Sequence, residues 1–176
     1  MVFLNKRNDM KRNWELPSLN EAKLRSKSLV NTQQFTLDPQ LMGIGLHKKY
    51  MLHTFGCQAN VRDSEVMAGI LESLGFSMAE SDEEADLILL NTCAIRENAE
   101  NKVFGQVGNL KHLKQKNPDL IIGIAGCMAQ EEVVINKILQ SYHQVDLVFG
   151  THNIHRLGDL VYKAMFAKEK DRKSVV

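Results

Sequence analysis

From Tyr50 onward the chain alternates short apolar runs with longer stretches whose apolar residues recur every three or four positions. Tyr50–Phe55 predicts a strand. Met67, Ile70, Leu71 and Leu74, at i, i+3, i+4 and i+7, predict a helix that Asn60 can cap and Gly75 ends. Phe76–Ser81 predicts a weak, short strand. Leu87-Ile88-Leu89-Leu90 is a continuous apolar run, the pattern of a parallel strand covered on both faces. A long helix follows from about Glu97 to Lys116, with Val103, Val107, Leu110 and Leu113 on one stripe, and Asn117-Pro118 ends it. Leu120–Ala125 is the next buried strand. A helix over Gln130–Ser141 buries Val134, Ile138 and Leu139 or their neighbours, and Val145–Phe149 is the last strand. The final helix presents Leu157, Leu160, Val161, Ala164 and Met165.

Strands alternating with helices call for right-handed crossovers and a parallel sheet covered on both faces. The expected fold is α/β, a three-layer flavodoxin-like domain with spatial strand order 2-1-3-4-5, and a Rossmann-type order is the alternative. The domain is expected over residues 50–166. Before it, residues 1–49 lack sustained periodicity and read as a mostly flexible arm, with one marginal helix near Ala22–Leu29 started by the capping box Ser18-Leu19-Asn20-Glu21. After it, residues 167–176 read as a charged tail.

Charge divides the chain in the same place. Residues 1–49 carry nine Lys/Arg against four Asp/Glu, whereas residues 50–176 carry thirteen against seventeen. The arm is therefore net +5 and the rest net −4. A domain that grips a nucleic-acid backbone unaided shows a basic face, so contact with RNA is expected to come mainly from elsewhere. The opening residues turn polar too soon for a signal peptide, and no apolar run approaches the ~20 residues that span a bilayer. A soluble, cytoplasmic, monomeric chain is the expectation.

Three cysteines, Cys57, Cys93 and Cys127, remain to be explained. Their spacing matches no local motif, and three buried thiols acting as small hydrophobes would be the plain reading. Yet each directly follows a predicted strand and precedes a predicted helix. In the order 2-1-3-4-5 the three strands involved are immediate neighbours, which puts the outer two thiols only ~10 Å apart at the carboxyl end of the sheet. That is bridging distance for a metal centre. All-thiolate ligation suits zinc or an iron–sulfur cluster, and zinc asks for a fourth protein ligand, for which His53, His152 and His155 are candidates. Gln58, Asn60, Asn91, Thr92 and Thr151 surround the expected mouth, where Asn60 and Asn91 also have ordinary capping and turn roles.

The segments His53-Thr54-Phe55-Gly56-Cys57-Gln58-Ala59-Asn60, Asn91-Thr92-Cys93-Ala94-Ile95-Arg96-Glu97-Asn98-Ala99 and Gly126-Cys127-Met128-Ala129-Gln130 resemble the amino-terminal domain of the radical-SAM methylthiotransferases. The run Phe149–Leu157 strengthens the likeness, which covers about residues 50–165. The wording after Cys93 is similar to the branch that converts isopentenyl-adenosine, next to the tRNA anticodon, to its 2-methylthio form. The resemblance implies that Cys57, Cys93 and Cys127 hold an auxiliary 4Fe–4S cluster handling the sulfur to be transferred. It further implies a sulfur donor, tRNA as substrate, and a second 4Fe–4S cluster that cleaves S-adenosylmethionine. The motif for that second cluster, Cys-x-x-x-Cys-x-x-Cys, is not among these residues, which carry no cysteine after Cys127. The chain is accordingly expected to be part of a longer enzyme and inactive by itself. Three rivals are a flavodoxin-like nucleotide-binding module, a thiol-based sulfurtransferase or redox domain, and a purely structural zinc domain; the first would want a loop richer in hydroxyls than Gly56–Asn60.

Overall fold

The computed structural model describes residues 39–93 and 97–173, and side chains over 39–93 and 102–166. All of these belong to one unit, Phe35–Val176. Five strands alternate with four helices among the described residues: β1 (Lys49–Phe55), α1 (Gln58–Ser73), β2 (Ser77–Met78), β3 (Leu87–Thr92), α2 (Glu97–Lys116), β4 (Ile121–Gly126), α3 (Glu132–Ser141), β5 (Leu147–Phe149) and α4 (Leu157–Lys173). Short 3-10 turns precede α3, at Cys127–Gln130, and α4, at Thr151–Arg156.

The sheet is entirely parallel, in the order β2-β1-β3-β4-β5. That is the flavodoxin-like order, and it follows from the burial pattern. Every residue of β3 and β4 is buried, as central strands flanked by helical layers must be. Side chains alternate between the faces. Leu87 and Leu89 join Met67 and Leu71 of α1, Leu74 at its C-terminal cap, and Leu157 and Val161 of α4 in one core. Ile88 and Leu90 join Val103, Val107 and Leu110 of α2 and Val134 and Ile138 of α3 in the other. Helices therefore cover both faces, making three layers.

Several boundaries differ from those the sequence predicts. β2 shrinks to two residues at the sheet edge. α1 begins at Gln58 with Cys57 as its N-cap, three residues ahead of the expected cap at Asn60. The reason is that the Asn60 side chain reaches back to the Cys57 N–H, at 3.1 Å, so it closes the first turn from within instead of opening it. α3 starts later than expected because Cys127–Gln130 forms its own turn. Leu139 stays 64% exposed, and Ile138 alone takes the place in the core assigned to the pair. The region read as an arm meets the described residues only at 39–49. There Leu41 is buried in the α1/α4 core and the Gly45 N–H bonds the Leu74 carbonyl at 3.0 Å. The marginal helix near Ala22–Leu29 and the Cys93-to-α2 connection at 94–96 lie outside the described residues.

Candidate metal centre

The register of the sheet fixes where the three cysteines stand. Phe55 of β1 is level with Thr92 of β3, and Thr92 is level with Gly126 of β4. Cys57, Cys93 and Cys127 follow these residues by two, one and one positions. They emerge side by side at the carboxyl end of three adjacent strands. All three are free thiols, with Cys57 exposed, Cys127 half-buried and Cys93 buried.

Two glycines let the turns come this close. A Cβ on Gly56 would stand 2.3 Å from Asn60 Oδ1 and 2.9 Å from Cys93 Cβ. A Cβ on Gly126 would stand 2.2 Å from the Thr92 carbonyl oxygen, and its φ of +103° belongs to the region that side chains avoid. Each glycine directly precedes a cysteine.

The thiols sense one another electrostatically. Cys57 is held below the ordinary thiol range by the Asn60 and Ala59 backbone N–H groups at the start of α1, with a further hydrogen bond from Cys93. Cys127 is pushed up, first by burial and then by the negative charges of Cys93, Asp63 and Cys57. Bringing all three to thiolates in one place thus stores repulsion that a cation relieves. Among the described residues, no three His, Cys, Asp or Glu side chains converge on one point as a single metal ion requires. Thiolates on one tetrahedral zinc, with bonds of about 2.3 Å, crowd within about 4 Å of one another. An iron–sulfur cluster takes the same all-thiolate donor set, which three cysteines on adjacent strand ends could supply.

Beneath the thiols lies a polar chain, buried at Asn60, Ser64 and Asn91, that the sequence pattern does not announce. Asn91, fully buried on β3, donates from Nδ2 to the Asn60 carbonyl at 2.8 Å and to Ser64 Oγ at 2.9 Å. Ser64 Oγ and Thr54 Oγ1 are 2.7 Å apart. Asn60 Nδ2 donates to Asn91 Oδ1 at 3.3 Å, and Asn60 Oδ1 accepts the Cys57 N–H and thiol. Asn60 and Asn91 therefore sit under the mouth rather than around it. The available signal was parity: Asn91 continues the Leu87 and Leu89 face of β3 toward α1, where Ser64 stands one turn after Asn60.

The remaining candidates divide. Gln58 is exposed at the rim, and Thr151 accepts a hydrogen bond from Gln130 at 3.0 Å, tying the Cys127 turn to the turn after β5. Thr92 is buried and its hydroxyl faces Met128 Sδ at 3.9 Å. His53 is paired with Asp82 at 2.6 Å. His152 and His155 are exposed on the turn after β5.

Residues 49–150, which hold this sheet and all three cysteines, match the model of the Uncharacterized protein family UPF0004, and the chain belongs to that family. It is similar to proteins named tRNA-2-methylthio-N(6)-dimethylallyladenosine synthase. The Staphylococcus epidermidis protein is 54% identical over 156 residues, which are 88% of this chain and 30% of that protein. Those of Bacillus cereus and Bacillus cytotoxicus are each 56% identical, covering 89% and 88% of this chain and 31% of their own length. The chain thus spans about a third of the length of the curated relatives it matches. These matches bear out the likeness to the methylthiotransferase amino-terminal domain.

Proposed function

We propose that this chain is the cluster-binding domain of a tRNA methylthiotransferase that adds a methylthio group to C2 of isopentenyl-adenosine next to the anticodon. Cys57, Cys93 and Cys127 would hold a 4Fe–4S cluster. The observation that carries this reading is the placement of three free thiols at neighbouring strand ends, in a chain over half identical to synthases named for that product. When bound, the cluster supplies an iron at which sulfur is presented.

The residues of this chain do the holding. Cys93, buried at the end of β3, would be its innermost ligand. Cys127 would hold it from the turn after β4. Cys57, on the exposed side, is presented at the first turn of α1, whose backbone N–H groups favour its thiolate. With Cys57, Cys93 and Cys127 as its protein ligands the cluster would have room for a ligand from outside, and sulfur donor and adenine would approach on the exposed Cys57 side. The radical that opens the C2–H bond would come from S-adenosylmethionine and a second cluster. Since Cys57, Cys93 and Cys127 are the only cysteines here, these 176 residues alone would be inactive. No described helix is long and apolar enough to cross a membrane, and a cytoplasmic enzyme meeting tRNA fits this role.

Iron and sulfide content after anaerobic reconstitution tests the assignment. Cys57→Ala, Cys93→Ala and Cys127→Ala are each expected to lose most bound iron while their apo forms melt within a few degrees of wild type. A variant that keeps full iron removes its residue from the site.

A further inference from the structure

Two buried side-chain amides beneath the thiols have an orientation that their partners dictate completely. A backbone carbonyl only accepts, so the Asn91 group facing the Asn60 carbonyl, at 2.8 Å, is Nδ2. Asn91 Oδ1 is then turned to Asn60, and the Asn60 group meeting it at 3.3 Å is Nδ2. Asn60 Oδ1 is left facing Cys57, whose backbone N–H, a donor only, confirms the polarity at 3.1 Å. Neither amide can flip without setting like against like at a buried contact. Ser64 and Thr54 close the other end of the chain through hydroxyls that rotate to suit.

We infer that Asn60 and Asn91 are positioning residues for the iron–sulfur group, a polarised amide pair that pins the Cys57 turn to β3 and so fixes Cys57 relative to Cys93. The inference rests on the cluster reading above. Its physical content is a distinction between Cys57 and Cys127. Cys57 lies two residues beyond its strand, on an exposed turn that the sheet register does not hold. Cys127 follows β4 at once and is half-buried. The Cys57 carbonyl accepts the Asn60 and Val61 N–H groups as any helix cap does, and the side-chain bonds that tie this turn to β3 come from Asn60 and, through Asn60, from Asn91. Asn60 is 1% exposed and Asn91 0%, so water does not replace them. Partners that orient ligands in this way typically govern 10–100-fold in metal affinity.

The test compares Asn60→Ala and Asn91→Asp with Leu89→Val, a packing change on the same face of β3. Asn91→Asp keeps size and shape but puts an oxygen where Nδ2 meets the Asn60 carbonyl. Two readouts are taken. In the apo chain, the rate of Cys57–Cys93 disulfide formation with diamide reports whether the two thiols still meet. In the reconstituted chain, the rate of iron loss to a chelator and the electron paramagnetic resonance spectrum of the reduced cluster report the held group. The expected result is slower disulfide formation, iron loss at least ~10-fold faster and an altered spectrum in both asparagine variants, with Leu89→Val like wild type at a comparable melting temperature. Asparagine variants that match Leu89→Val in disulfide rate and iron retention would overturn the inference. If one asparagine variant fails to fold, the other decides. A wild-type chain that takes up no iron would instead sink the cluster reading, while the disulfide rates would still decide whether the pair positions Cys57.

Discussion

At the scale of single residues, the site was legible through its cysteines and not through the polar residues under them. Cys57, Cys93 and Cys127 announce themselves because each follows a predicted strand and precedes a predicted helix, and strand order then makes them neighbours. Asn60, Ser64 and Asn91 do not, because a buried amide looks in sequence like a capping or turn residue. Only the register, which turns Asn91 toward α1, separates the two. Gly126 is a further case: the sequence reads as a turn, whereas the structure shows a residue locked by both conformation and space. With φ at +103° and a Cβ position 2.2 Å from the Thr92 carbonyl oxygen, Gly126→Ala is expected to cost roughly 2–4 kcal/mol of stability. Urea denaturation of the apo chain measures this. A loss below about 0.5 kcal/mol, the ordinary range for a neutral surface change, would show that the turn can rearrange.

At the scale of elements, strand and helix existence was readable because the central strands are uninterrupted apolar runs and the helices carry one clean stripe each. Boundaries were less so. β2 is held by only two residue pairs, Lys49 with Ser77 and Tyr50 with Met78, and so short an edge leaves little pattern. The α2–β4–β5 corner depends on a contact that periodicity cannot reveal. Lys114, in the last turn of α2, donates to the Leu120 carbonyl at 2.5 Å and pairs with Asp146 just before β5. Asp146 also accepts the Ile122 N–H at 2.9 Å. Removing the cation leaves the carboxylate in a partly dry corner without its Lys114 partner. Lys114→Met is expected to destabilise by about 1–3 kcal/mol, read as a fall in the urea midpoint at unchanged slope. An unchanged midpoint would mean that solvent fully compensates.

At the scale of the whole molecule, the three-layer arrangement makes one edge of the α1 face sensitive to alkali. Tyr50, on β1, is fully buried, and its hydroxyl donates to Glu72 of α1 at 3.0 Å. Burial, followed by the Glu72 hydrogen bond and charge, raises its phenol from 10.0 to about 12. The unfolded chain releases this proton first, so the folded state binds more protons between pH 10 and about 12, and stability falls with rising pH across that window. Tyr50→Phe is expected to flatten the fall, as followed by urea midpoints at stepped pH; an equal slope in both proteins would place the alkaline loss elsewhere. The same layering is what brings three strand ends together at one rim, and the central claim is that this rim carries an iron–sulfur cluster. The most direct measurement is the Mössbauer spectrum of the anaerobically reconstituted wild-type chain loaded with iron-57. The account predicts the signature of a 4Fe–4S cluster that is absent from the Cys57→Ala, Cys93→Ala and Cys127→Ala proteins. Iron found only as isolated ions, or a cluster signal that survives loss of any one of these cysteines, would contradict it.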